Sequence, residues 1–362
     1  MDEKQIGLLK RLTEAFGPPG FERDVAAIVR AEMEPLADSC RINRLGSVIF
    51  QREGRSSQPR ILVAGHMDEV GFCITGIHKE TGFLKFHPLG GWFDQVLLSQ
   101  RVLVRTSKGD VPGVISATPP HLIPEEERKK VVKKDDMYID IGTSSKEETE
   151  ATGVRLGDPV VPWSPFTLIR DGRIAVGKAF DDRAGTFAAM EVLRRLVERK
   201  ASHPNHFIGA ATTQEEVGLR GAKTVAFETN PDVCFVAEVD ISGDVPGTDD
   251  KVAPAKMGKG VSIVTYDSSM IPNQPLKEFV IEVAEETGIP HQLSIVSRGG
   301  TDAGAIHITN AGCPSIVLGV PTRHIHSHTG MMALSDLEAM VDLITECITR
   351  LDEKKVESFT SA

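Results

Sequence analysis

The sequence predicts an α/β fold: a mixed open sheet with helices on both faces, interrupted by a small β-barrel or sandwich. Three observations predict it. Short apolar runs at Ile61–Ala64, Phe207–Ala211, Val233–Ala237 and Ser315–Leu318 have the length of buried strands. Stretches with helical periodicity lie between them. From about Asp68 to Trp163, by contrast, glycines and short β-rich pieces recur without a long helical stripe.

Each element has its own justification. The opening segment MDEKQIGLLKRLTEAFG reads as an amphipathic helix with Ile6, Leu9, Leu12 and Phe16 on one face. Its scattered charges leave no continuous apolar stretch of the kind a secretion signal needs. In the middle, Val102–Arg105, Val111–Ile115 and Met137–Ile141 read as strands, and the mixed charge run Pro124–Asp136 as a solvated loop. Within Pro275–Gly288, Leu276, Phe279, Val280, Val283 and Ala284 follow the i, i+3, i+4, i+7, i+8 rule. In the last helix Ser335 and Glu338 have capping-box spacing, and Leu337, Met340, Val341, Ile344 and Ile348 form the stripe. The tail Ser358–Ala362 reads as frayed. At roughly 150 residues per domain, 362 residues suit two domains or one core with an insertion. The expected division is a discontinuous α/β domain, residues 1–67 and 164–362, and a β-rich insert, residues 68–163.

Composition narrows the function. The chain has 41 Lys and Arg against 51 Asp and Glu, a net charge of −10, and 5% aromatics. Without a basic stripe, a nucleic-acid partner is not expected. No apolar run approaches the roughly 18 residues of a membrane span. Five scattered cysteines without a CxxC pair fit free thiols in a reducing cytoplasm, which is the expected location.

The chemistry is carried by residues at the ends of the apolar runs. His66 comes after the first, Glu215 and Glu216 after the second, Glu238 and Asp240 after the third, and His326 a short loop after the last. Asp181 and Asp182 precede a further helix. In an open α/β sheet, sites form outside the carboxyl ends of the strands, so these groups converge. Converging carboxylates repel one another unless a cation sits between them. Two histidines with several carboxylates are a donor set for zinc or cobalt, and a carboxylate can bridge two ions. His324 and His328 flank His326 and read as hydrogen-bonding or surface residues, and His121 as structural. Ser242 and Ser327 lack the G-x-S-x-G elbow of a serine hydrolase. Gly299-Gly300-Thr301-Asp302 has no phosphate-loop lysine.

Six segments in order resemble the M42 family of metallo-aminopeptidases. They are His66-Met67-Asp68-Glu69, Lys178-Ala179-Phe180-Asp181-Asp182-Arg183, Gln214-Glu215-Glu216-Val217-Gly218, Asp244-Val245-Pro246-Gly247, Gly299-Gly300-Thr301-Asp302-Ala303 and Ile325-His326-Ser327. The resemblance implies an aminopeptidase acting on peptides with a free N-terminus. It implies two divalent ions per subunit, zinc or cobalt with manganese as a third option. His66 and His326 would hold one ion each and Asp181 would bridge them. Glu216 completes either set, and Glu238 is the fifth ligand with Asp240 as its rival. The resemblance makes Glu215 the general base and gives Asp68 the task of fixing the His66 tautomer. Gly300, Thr301 and Asp302 would line the substrate cleft, and the Asp181–Asp182 peptide would be cis. Arg183 and the following helix N-terminus would hold Asp182. Self-association into a homododecamer, built from dimers made through the insert, is implied as well. Alternatives are a metal-dependent deacylase or amidohydrolase on the same scaffold, a glycan hydrolase, and a metal-free scaffold protein.

Overall fold

The computed structural model describes residues 1–199 and 203–361. Its strands are β1 (Ser39–Ile42), β2 (Val48–Glu53), β3 (Arg60–His66), β4 (Gly71–Ile77), β5 (Leu84–Leu89), β6 (Arg101–Thr106), β7 (Gly109–Ser116), β8 (Tyr138–Asp140) and β9 (Pro159–Pro162). They continue as β10 (Thr167–Ile169), β11 (Ile174–Gly177), β12 (His206–Thr212), β13 (Val233–Ile241), β14 (Val261–Asp267), β15 (His291–Val296), β16 (Ser315–Arg323) and β17 (Gly330–Ala333). The helices are α1 (Glu3–Glu14), α2 (Arg23–Met33), α3 (Lys146–Ala151), α4 (Phe180–Glu198), α5 (Arg220–Thr229), α6 (Gln274–Thr287), α7 (Ala303–Ile306), α8 (Leu334–Arg350) and α9 (Glu353–Glu357).

The main sheet runs β1-β2-β12-β3-β13-β16-β17-β11-β10, with β14 paired to β16 and β15 to β14. Its centre, β12-β3-β13-β16, is parallel, and antiparallel strands flank it on both sides. Side-chain alternation along these strands feeds two cores. Val63, Phe207, Phe235 and Leu318 face α1, α2, α4, α6 and α8, while Leu62, Ala64, Ile208 and Val236 face α5 and α7. Helices on both faces are therefore a direct consequence of strands that are apolar on both faces. A second, antiparallel sheet closes on itself in the order β4-β5-β8-β7-β6-β9. The insert is thus a barrel, with Phe72, Ile74, Val102, Val104, Ile115 and Ile139 filling its interior.

The stripe expected for Pro275–Gly288 is buried residue for residue in α6, and the α8 stripe is buried likewise. Three expectations are corrected. β13 and β16 run beyond their apolar stretches, to Ile241 and Arg323, because their ladder continues while side chains turn polar. Glu238 and Asp240 therefore lie inside a strand rather than after it. The Ser335 capping box does not form: β17 leads straight into α8, which starts at Leu334 with no side-chain cap. Glu338 instead pairs with the amino group of Met1 at 3.2 Å. The tail is held at Phe359, which is buried beside Phe279 and whose carbonyl accepts a bond from Asn273. Ala362 lies outside the described residues.

Candidate active site

The candidate residues meet at the carboxyl ends of the central strands. His66 ends β3, Glu215 and Glu216 lie in the loop after β12, and Glu238 projects from β13. His326 follows β16, and Asp181 begins α4, where Asp181 and Asp182 have non-helical backbone and a cis peptide between them. Close approach of α4 to the sheet brings Asp181 within reach. A Cβ on Gly65 would lie 2.3 Å from the Gly185 carbonyl carbon, so only glycine permits this contact.

Two triads result, and they share one member. Donor atoms of His66, Asp181 and Glu238 lie within 4.8 Å of one another, as do those of Asp181, Glu216 and His326. Asp181 turns Oδ1 to His66 Nε2 at 3.1 Å and Oδ2 to His326 Nε2 at 3.4 Å. Glu238 stands 3.8 Å from His66 Nε2, and Glu216 stands 3.7 Å from His326 Nε2. Glu216 is thereby grouped with His326, an assignment the sequence left open. Glu215 belongs to neither triad but faces the same space, 3.8 Å from His66 Nε2.

The electrostatics call for positive charge. Burial, together with Asp181, pushes Glu216 up to about 8. Burial, reinforced by Asp302, Glu238 and Glu216, drives Glu215 well above the usual carboxylate range. Burial with Asp182 and Asp181 does the same to Glu238. Burial works against a charged His66, yet Glu215, Glu238 and Asp181 hold its pKa well above the ordinary value. Glu216 Oε1 is buried with no hydrogen-bond partner. Carboxylates crowded this way, with an oxygen left over, fit cation ligands.

Supporting contacts bear on three expectations. His66 Nδ1 meets the Asp68 backbone carbonyl at 3.0 Å, whereas the Asp68 carboxylate is 3.6 Å away, beyond hydrogen-bond range. That carboxylate instead accepts the backbone N–H groups of Glu215 and Glu216, each at 3.0 Å, so it positions the Glu pair. Asp182 is held, as expected, by the start of α4 through the Gly185 N–H, and also by the His66 N–H, but not by Arg183. Arg183, wholly buried, donates to the carbonyls of Leu12, Ala15, Gly17 and Met67 and to Glu69. Asp302 is buried beneath the cleft lining and accepts a bond from Thr212 through one oxygen, while its other oxygen is buried without a partner, near enough to Glu215 to raise its pKa.

The family model of the M42 glutamyl aminopeptidases matches residues 46–343. The chain belongs to the M42 peptidase family. It is 37% identical to the FrvX protein of Escherichia coli (strain K12), with 98% of both chains covered. Its fold superimposes on the TET aminopeptidase of the marine sediment archaeon Thaumarchaeota archaeon SCGC AB-539-E09 with a TM-score of 0.97, 58% identity and 99% of each chain covered. The Pyrococcus horikoshii TET1 peptidase, described as able to assemble into a tetrahedron or a large octahedral shell, matches at 35% identity and a TM-score of 0.84. That match covers 96% of this chain and 100% of the other. The M42 chain is thus an aminopeptidase, a peptide hydrolase of a metal-dependent family.

In this M42 peptidase a cleft opens beside the triads. It encloses about 280 Å³ and is lined by His66, Asp181, Glu215, Glu238, Asp240 and His326 on its polar side. Val239, Ile241, Val264, Val296 and Ile325 give an apolar wall, and Arg298, Gly299, Gly300 and Thr301 form the rest. Thr301 donates to Asp267 at 2.7 Å, which anchors that loop. Asp240 lines the cleft but is held by Ser262 and lies outside both triads.

Sequence reasoning missed two supports. Glu22, far from any motif, accepts the N–H groups of Gly20 and Gln214 and is pushed up to about 7 by burial and by Asp68. Lys178 and Arg183 both pair with Glu69 in the interior. Their place inside two matching segments was the only available signal. Among the described residues no helix is long and apolar enough to cross a membrane.

Proposed function

We propose that this M42 peptidase is a dinuclear-metal aminopeptidase that removes the N-terminal residue of peptides. The observation that carries the reading is Asp181, whose two oxygens face one histidine each. His66, Asp181 and Glu238 would hold one ion, and Asp181, Glu216 and His326 the other. When bound, zinc, cobalt or manganese supplies Lewis-acid polarisation of a carbonyl and acidifies water.

The chain's own residues do the rest. Glu215, in the cleft but outside both triads, accepts the proton of the attacking water and returns it to the leaving amine. Asp68 holds Glu215 and Glu216 on opposite tasks through their backbone N–H groups. The carboxylates of the cleft receive the α-ammonium group of the substrate, which restricts cleavage to the first residue. Gly300 and Thr301 border the bound residue, and Asp302, tied to Thr212, anchors the end of that loop. We also propose a cytoplasmic location and assembly into a homododecamer from dimers made through the barrel. The shell-forming P. horikoshii relative supports that assembly.

The test is hydrolysis of an aminoacyl-anilide panel, beside N-acylated counterparts, after chelation and re-addition of single metals. Cleavage of free-amine substrates restored by one or more of the ions is expected. Preference for the N-acylated compounds, or full activity after exhaustive chelation, would overturn the reading. Light scattering showing a metal-loaded 39.3 kDa monomer would overturn the assembly.

A further inference from the structure

We infer that the inserted barrel forms part of the metal centre: its Gly91 carbonyl orients His326, and Trp92 is the positioning residue that holds that carbonyl in place. The inference rests on the dinuclear reading above.

The two histidines are oriented by different parts of the molecule. His66 sits in a ladder strand, and its Nδ1 faces the carbonyl of Asp68, two residues along the same chain segment. His326 lies past the end of β16 with a positive φ of 52°, so no ladder fixes it. Its Nδ1 meets the Gly91 carbonyl at 2.7 Å, 235 residues away in sequence. A carbonyl only accepts, so Nδ1 carries the proton and Nε2 presents its lone pair to the space shared with Asp181 and Glu216. The fit is close: a Cβ on Gly91 would lie 3.0 Å from His326 Nδ1.

Trp92, the residue after Gly91, is itself firmly held. Its Nε1 donates to the Gly71 carbonyl at 3.0 Å, and its ring stacks on Phe72 with centroids 4.7 Å apart. Its other ring neighbour is His328, with centroids 5.2 Å apart and the planes tilted by 54°. His328 is buried and neither ring nitrogen has a partner, so it meets Trp92 only through its ring. One indole therefore ties the barrel loop and the His326 loop together.

The experiment titrates metal-stripped protein with Zn²⁺, counting ions and affinities by calorimetry and metal analysis, with circular dichroism to confirm folding. Wild type should take up two ions. Trp92→Ala should weaken one of them by about 10–100-fold, the usual scale for an outer-shell partner, and leave the other unchanged. Trp92→Phe, which keeps the stack, should recover most of the loss. Gly91→Ala crowds the imidazole without removing barrel packing and should weaken the same ion; it decides the matter if Trp92→Ala fails to fold. His326→Ala identifies which ion is affected. Wild-type affinity for both ions in Trp92→Ala and Gly91→Ala would overturn the inference while leaving the dinuclear reading intact. Equal weakening of both ions would also overturn it. A wild type that binds fewer than two ions would overturn the dinuclear reading and this inference with it.

Discussion

The barrel and the α/β body spend their interiors differently. Between Gly71 and Trp163 the buried polar side chains are Thr106 and Thr149, and each hydroxyl donates to a nearby carbonyl. Outside that stretch, His66, Asp68, Glu69, Lys178, Asp182, Arg183, Glu238, Asp240 and Asp302 are all buried, gathered at one end of the main sheet. Burying a charge costs several kcal/mol unless it is paired or binds an ion. The barrel is therefore built to be stable, while the body gives up stability to hold reactive groups in a dry place.

That contrast can be broken or sharpened by experiment. The largest effect is expected at Glu215. Glu215→Gln keeps both triads and removes the proton acceptor, so turnover should fall by about 10²–10⁴ while metal content stays at the wild-type level. Loss of an ion instead would make Glu215 a ligand. Next come the rival acids of β13. Glu238→Ala should weaken one ion by more than the roughly 10–100-fold typical of an outer-shell partner, and Asp240→Ala should leave the ion count unchanged. The reverse pattern in metal analysis would move the site to Asp240.

Stability separates the two regions directly. Lys178→Ala leaves the buried Glu69 with one cation fewer and should cost about 3–5 kcal/mol in urea unfolding. Lys130→Ala, which removes an exposed pair with Glu127 in the barrel, should cost about 0.5 kcal/mol or less. Similar losses would erase the contrast. A further test lies in pH dependence. Burial raises Glu22 from an unfolded value near 4.5 to about 7, so the folded state favours its neutral form. Its contribution is full below about pH 4.5 and is lost as pH rises through 7, a change on the order of 3 kcal/mol. Glu22→Gln should flatten the stability profile between pH 5 and 8; an unchanged slope would exclude Glu22 as its source.

Much of the site could be read from the sequence because strand ends are marked by where apolar runs stop. His66, Glu215, Glu216 and Glu238 were found this way. The pairing of Glu216 with His326 could not be, since adjacent residues in a loop have no fixed facing direction. Nor could the partner of Asp302, which is Thr212 in a strand 90 residues away.

By itself the sequence determined which segments become strands and helices, because periodicity of 2 or 3.6 is a local property. It also placed a set of metal-binding residue types at the strand ends. Only the tertiary structure decided the partners of the buried charges: four carbonyls around Arg183, backbone amides under Asp68, and a barrel carbonyl against His326. Those partners are backbone groups, which every residue carries alike. A side chain's need for one is written in the sequence, but which one meets it depends on where the folded chain passes.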